Sequence, residues 1–198
     1  IKDKAVVDFT NNKTKKRELT NIIGQNFRLG EIECAIGIEQ LKKLTSLVHS
    51  RKNAAEQLTE GLSALTGLRT PIIKRECTHV YYDYPLVLDI DSLGISRARL
   101  IEALEAEGVV GLGAGYVNVH LLPLYQNKVA YGSKGFPWSS DICKREVSYE
   151  KGICPIAEEL HDSTFLSFAI CMHEMTEEDV KLIIAAFKKV WSQMDELL

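Results

Sequence analysis

The chain has 198 residues, 45% of them hydrophobic and 26% charged, which is ordinary globular composition with enough apolar material to bury a core unaided. Its 24 basic and 27 acidic side chains leave a formal charge of -3, so composition offers no basic stripe for a nucleic-acid backbone. No apolar run approaches the roughly 20 residues that a membrane span needs.

Residues 1–23 are polar and lysine-rich, around Lys13, Lys15, Lys16 and Arg17, and the chain opens on Ile1 instead of methionine. This stretch reads as a connecting loop, and the chain as a piece of a longer protein. Residues 29–65 carry the longest helical pattern. Leu41, Leu44 and Val48 form one stripe, and Ala55, Leu58, Leu62 and Leu65 continue it. Gly61 and Gly67 weaken the far end, with Gly67 as the stop. A helix of this length suits a link between two domains. A strand is predicted over residues 69–74 and a stronger one over 79–88, where Val80, Tyr82, Tyr84, Leu86 and Leu88 alternate onto one face. Pro85 points to an edge or an irregularity there.

Ser96 is placed to cap a helix running to Ala106, with Leu100, Ile101 and Leu104 inward and Gly108 as its stop. Val109 and Val110 read as a short strand. Residues 111–156 lose all periodicity, yet their aromatic content (Tyr116, Tyr125, Tyr131, Trp138, Tyr149) argues against disorder. Phe136-Pro137-Trp138 reads either as a packed loop or as part of a pocket wall. A helical turn over 156–161 and a strand over 164–171 follow. Thr176 and Asp179 then form a capping box for a helix with Val180, Ile183, Ile184, Phe187, Trp191 and Met194 on its apolar face. The expected fold class is α+β, a long linking helix plus a small antiparallel sheet covered by helices. Residues 1–28 would be a connecting loop from a further domain, 29–66 the linking helix and 67–198 the small domain.

Several sets of residues invite a chemical reading. Asn26 and Arg28 stand just before the long helix, where unpaired N–H groups and a bidentate guanidinium suit an anion such as a phosphate. The plain alternative is that Asn26 caps a turn while Arg28 pairs with Glu31 or Glu33. Cys77-Thr-His79 and Cys171-Met-His173 could in principle meet as a zinc site on adjacent strands, but their spacing is not that of common zinc ligands, and small buried thiols explain them better. The five cysteines, odd in number and scattered, read as reduced thiols in a cytoplasm. Glu158-Glu159 and Glu177-Glu178-Asp179 read as solvated faces and helix-start charges. Lys134 reads as a surface-loop residue.

The stretch GQNFRLGEIECAIGIEQLKKL at residues 24–44 resembles the Gly-x-Asn-aromatic-Arg motif and following helix of the DegT/StrS-type nucleotide-sugar aminotransferases. Arg51, the His79 stretch HVYYDYPLV, the segment GYVNVHLLPLY at 115–125, and CPIAEE at 154–159 continue the likeness in order to about Trp191. The resemblance implies the C-terminal part of a homodimeric fold type I enzyme that uses pyridoxal phosphate. Such an enzyme moves an amino group, from glutamate, to a keto sugar linked to a nucleotide. It further implies that Asn26 reaches the cofactor phosphate of the partner subunit with Arg28 in support. Tyr116 and His120 would line the sugar-nucleotide pocket, and His79 would orient groups at its edge. In the family, the lysine that attaches the cofactor and the acid that meets the pyridine nitrogen lie upstream of the Gly24 motif. The chain alone is therefore not expected to catalyse. Gly115 stands where the family commonly has histidine, and Phe168-Ala169 where it has Leu-Pro. The competing reading is a stand-alone, non-catalytic interaction or regulatory domain.

Overall fold

A computed structural model describes residues 28–131, 133–172 and 174–197. Asn26, nearly all of the stretch 1–28 expected as a connecting loop, and His173 lie outside the described residues. The chain divides into two units, Ile1–Thr45 and Ser46–Leu198, with the boundary inside helix α1 (Glu31–Leu62).

In the first unit, α1 starts after Gly30, whose carbonyl accepts the Cys34 amide at 3.0 Å. Glu31 and Glu33 occupy the first turn, where carboxylates oppose the positive end of the helix dipole. The expected stripe fails here, since Leu41 and Leu44 remain 67% and 52% exposed. Periodicity marks a helix face without saying what covers it.

The second unit has its own core. Its elements are the rest of α1, β1 (Leu68–Arg69), β2 (Tyr84–Leu88), α2 (Ile90–Leu93), α3 (Arg97–Ala106), β3 (Leu112–Gly113), α4 (Pro123–Gln126), α5 (Pro155–Glu159), β4 (Phe165–Phe168) and α6 (Glu177–Ser192). The four strands form one antiparallel sheet in the order β1-β2-β4-β3. Tyr84 stands opposite Phe168 and Leu86 opposite Leu166, so the alternating apolar residues of β2 and β4 share one buried face. Ala55, Leu58 and Leu62 of α1, Leu100 and Leu104 of α3, and Val180, Phe187 and Val190 of α6 join these residues in one core. Each large side chain buried this way contributes on the order of 1.5–3 kcal/mol. Gly61 admits α6 closely, because a Cβ there would lie 2.5 Å from Ile184 Cδ1.

The helix signals in the second unit hold. Ser96 Oγ accepts the Arg99 amide, and Thr176 and Asp179 form both halves of the capping box. Gly67 and Gly108 take positive φ of 76° and 90° at the chain reversals after α1 and α3.

The strands differ from expectation. The predicted 69–74 strand shrinks to Leu68–Arg69, and β2 begins at Tyr84 instead of residue 79. Tyr81 adopts a positive φ of 49°, and its amide donates to His79 Nδ1 at 2.9 Å. This local turn shifts the alternation by one, so Tyr81 is buried while Val80 and Tyr82 face outward. Pro85 sits in an interior strand, paired with Ser167 of β4. On its other side β1 ends opposite Val87, so no described strand lies beside the proline there. Val109 is buried without forming a strand, because Gly111 turns the chain at φ 88° before β3 begins.

Candidate functional site

The residues singled out in the sequence fall into separate places. Arg28 is exposed and precedes α1 in the first unit. His79, Tyr116 and His120 belong to the second.

The irregular segment after β3 is anchored at Gly115. Its φ is 74°, and a Cβ there would come within 2.8 Å of the Phe165 ring on β4. Both facts favour glycine at this position. Tyr116 follows, 82% exposed. Its hydroxyl meets that of Tyr82 at 2.8 Å, which joins this segment to the stretch that follows His79. The hydrogen bond to Tyr116 is the main reason that the Tyr82 phenol is pushed above its ordinary range. His79 itself is half-buried, its Nδ1 occupied by the Tyr81 amide and its ring 4.3 Å from that of Tyr81. It therefore shapes the backbone leading into β2.

His120 lies in a 3₁₀ turn, Val119–Leu121, and only 12% of its side chain is exposed. Its Nε2 meets Glu158 Oε1 at 2.9 Å. Glu158 also accepts the Gly152 amide on both oxygens at 2.8 Å and the Cys154 amide at 3.2 Å. Burial pushes this carboxyl up, but the two amides and His120 outweigh it and hold it below the usual range. The expectation that Glu158 is solvated is thus wrong, since the residue is 5% exposed. The available signal was Pro155 at the first turn of α5. It marks a short helix whose carboxylate can fold back on the amides before it, as in a capping box.

The loop is braced further by Gln126, whose Nε2 donates to the carbonyls of His120 at 2.7 Å and Tyr149 at 2.5 Å. Trp138 Nε1 donates to the Tyr149 hydroxyl at 3.1 Å, and Tyr125 packs against both rings. Trp138 therefore belongs to an aromatic cluster with Tyr125 and Tyr149, whereas Phe136 meets the ring of Tyr131 and stays exposed. Arg97 ties the other end by donating to the carbonyls of Leu160, His161 and Phe165.

Lys134 is exposed. Cys77 is also exposed, and no group of three or more His, Cys, Asp or Glu able to hold a metal occurs among the described residues. No helix among them is long and apolar enough to cross a membrane.

The model of the DegT/DnrJ/EryC1/StrS aminotransferase family matches residues 5–161. An uncharacterised protein of Methanocaldococcus jannaschii, MJ1066, is 31% identical over 170 residues, covering 86% of this chain and 39% of that protein. The spore coat polysaccharide biosynthesis protein SpsC of Bacillus subtilis is 28% identical over 125 residues, covering 63% of this chain and 32% of that one. The crystal structure of S. venezuelae DesV superposes with a TM-score of 0.65 at 22% identity, over 87% of this chain and 39% of that one. The chain thus spans about two-fifths or less of the length of these relatives. The structural likeness gives it the mixed helix-and-sheet fold of part of a fold type I aminotransferase. With the family model covering most of its length, the chain belongs to the DegT/DnrJ/EryC1/StrS aminotransferase family.

Proposed function

We propose that this chain is the C-terminal part of a pyridoxal-phosphate-dependent aminotransferase that moves an amino group, from glutamate, onto a keto sugar linked to a nucleotide. The family match across residues 5–161, which includes the 24–44 motif, carries the reading. Pyridoxal phosphate supplies the electron sink for such transfers. The start of α1 fits the cofactor's phosphate in chemical type. Arg28 stands three residues before the helix, and the first-turn amides lack intrahelical acceptors. Asn26 and Arg28 would hold that phosphate for the partner subunit. Ile32, Ile36 and Leu41, all more than half exposed on α1, suit burial in a homodimer.

In the second unit, Tyr116 offers an exposed hydroxyl and ring, and His120 a braced imidazole, for the sugar nucleotide. His79 supports them by fixing the turn at Tyr81. Residues 1–28 would then connect to the catalytic domain, 29–66 would link the domains, and 67–198 would form the substrate-side domain. The five free thiols suit a cytoplasmic setting.

The test is Arg28→Ala in the full-length protein, with cofactor affinity followed by absorbance titration. Losing charge-assisted hydrogen bonds of about 1.5–3 kcal/mol should weaken binding about 10- to 150-fold. Unchanged affinity would remove Arg28 from the phosphate site.

A further inference from the structure

Glu158 is the most deeply buried charged side chain among the described residues, at 5% exposure. An ionised carboxylate only accepts hydrogen bonds, and the amides of Gly152 and Cys154 can only donate them. Both oxygens accept from Gly152, and Oε1 also takes Cys154 and His120. Protonating either oxygen would aim an O–H toward these donors. The carboxylate is therefore the acceptor in its contact with His120, and the proton between them belongs to Nε2. The other ring nitrogen, Nδ1, has no hydrogen-bond partner among the described residues. Gln126 holds the His120 carbonyl at 2.7 Å, so the backbone of this residue is fixed as well as its ring.

We propose that Glu158 is a positioning residue that fixes the proton of the neutral His120 ring on Nε2 and so presents Nδ1 of that form as the acceptor for a hydroxyl group of a sugar ligand. The arrangement matches the general rule that the hydrogen bond at one imidazole nitrogen decides the role of the other. Glu158 lies 38 residues from its partner. It acts through His120 and touches no ligand itself. The choice of a sugar as the ligand rests on the function proposed above, whereas the proton's location does not.

The experiment is nitrogen-15 NMR on the full chain with labelled histidine. The expected spectrum has an exchange-protected Nε2–H signal for His120 and an unprotonated Nδ1 in the neutral ring. In Glu158→Ala that protected signal should be lost, while amide signals of β2 and β4 report whether the sheet survives. An Nδ1–H in the wild-type spectrum, or an Nε2–H with no protection, overturns the proposal without any variant. A protected signal that persists in a folded Glu158→Ala chain also overturns it. Titration of the full-length protein with UDP-glucose should then shift Nδ1 while leaving the Nε2–H in place. If Nδ1 does not move, the ligand assignment falls and the Glu158–His120 geometry stands. The cofactor reading is judged separately by the Arg28 titration.

Discussion

Replacing Gly115 with alanine should destabilise the chain more than its size suggests. Two costs add at this position. The backbone φ of 74° lies in the left-handed region, which costs an alanine about 1–2 kcal/mol. The new Cβ would also lie 2.8 Å from Phe165 Cε1 and 3.0 Å from Cδ1. That ring belongs to β4 and is held by sheet pairing opposite Val87. Relieving the contact requires the rigid ring to shift, and overpacking of this kind costs about 1–3 kcal/mol. The expected loss is about 2–5 kcal/mol, or on the order of 4–20 °C in Tm for a chain of this size. Two other glycines separate the terms. Gly108 has a φ of 90° with nothing within 4 Å of a built Cβ, so Gly108→Ala should cost only the backbone share, about 1–2 kcal/mol. Gly113 has open space and no positive φ, so Gly113→Ala should be near neutral. Urea and thermal denaturation of the three variants would measure the series. If Gly115→Ala proved no worse than Gly108→Ala, the contact between the loop and Phe165 would be refuted.

Leu58→Ala empties a site that is fully buried between α1 and the sheet, and should cost about 2–5 kcal/mol in a urea melt. Glu158 is held below the usual carboxylate range, so its contribution to stability is complete above the unfolded value near 4.5 and is lost as pH falls through the lower folded value. Tm should therefore drop in acid, and Glu158→Gln should flatten that drop. Asp179, held down mainly by the Thr176 hydroxyl, and Asp162, held down mainly by Lys151, should leave part of it. A Glu158→Gln profile parallel to wild type below pH 4.5 would show that the carboxylate network is not a source of acid sensitivity.

The helices and their ends were legible from the chain alone. Ser96, Thr176 with Asp179, Gly67 and Gly108 act within a few residues of their own backbone, and such short-range hydrogen bonds and φ preferences need no distant partner. The motif at residues 24–44 was equally legible, since its order along the chain is its signal. The beginning of β2 was not, because a local turn at Tyr81 overrode an alternation that continued through it. Nor could the exposure of Leu41 and Leu44 be read, since a repeat defines a face and not its cover.

The candidate site divides the same way. Tyr116 and His120 were singled out through the family resemblance of the 115–125 stretch. Glu158 was not, because one of two adjacent glutamates is selected only when α5 turns it toward Gly152, Cys154 and His120. Sequence fixes what each residue can donate or accept. Packing decides which carboxylate leaves water, since burial is tolerated only where enough donors converge to replace the solvent.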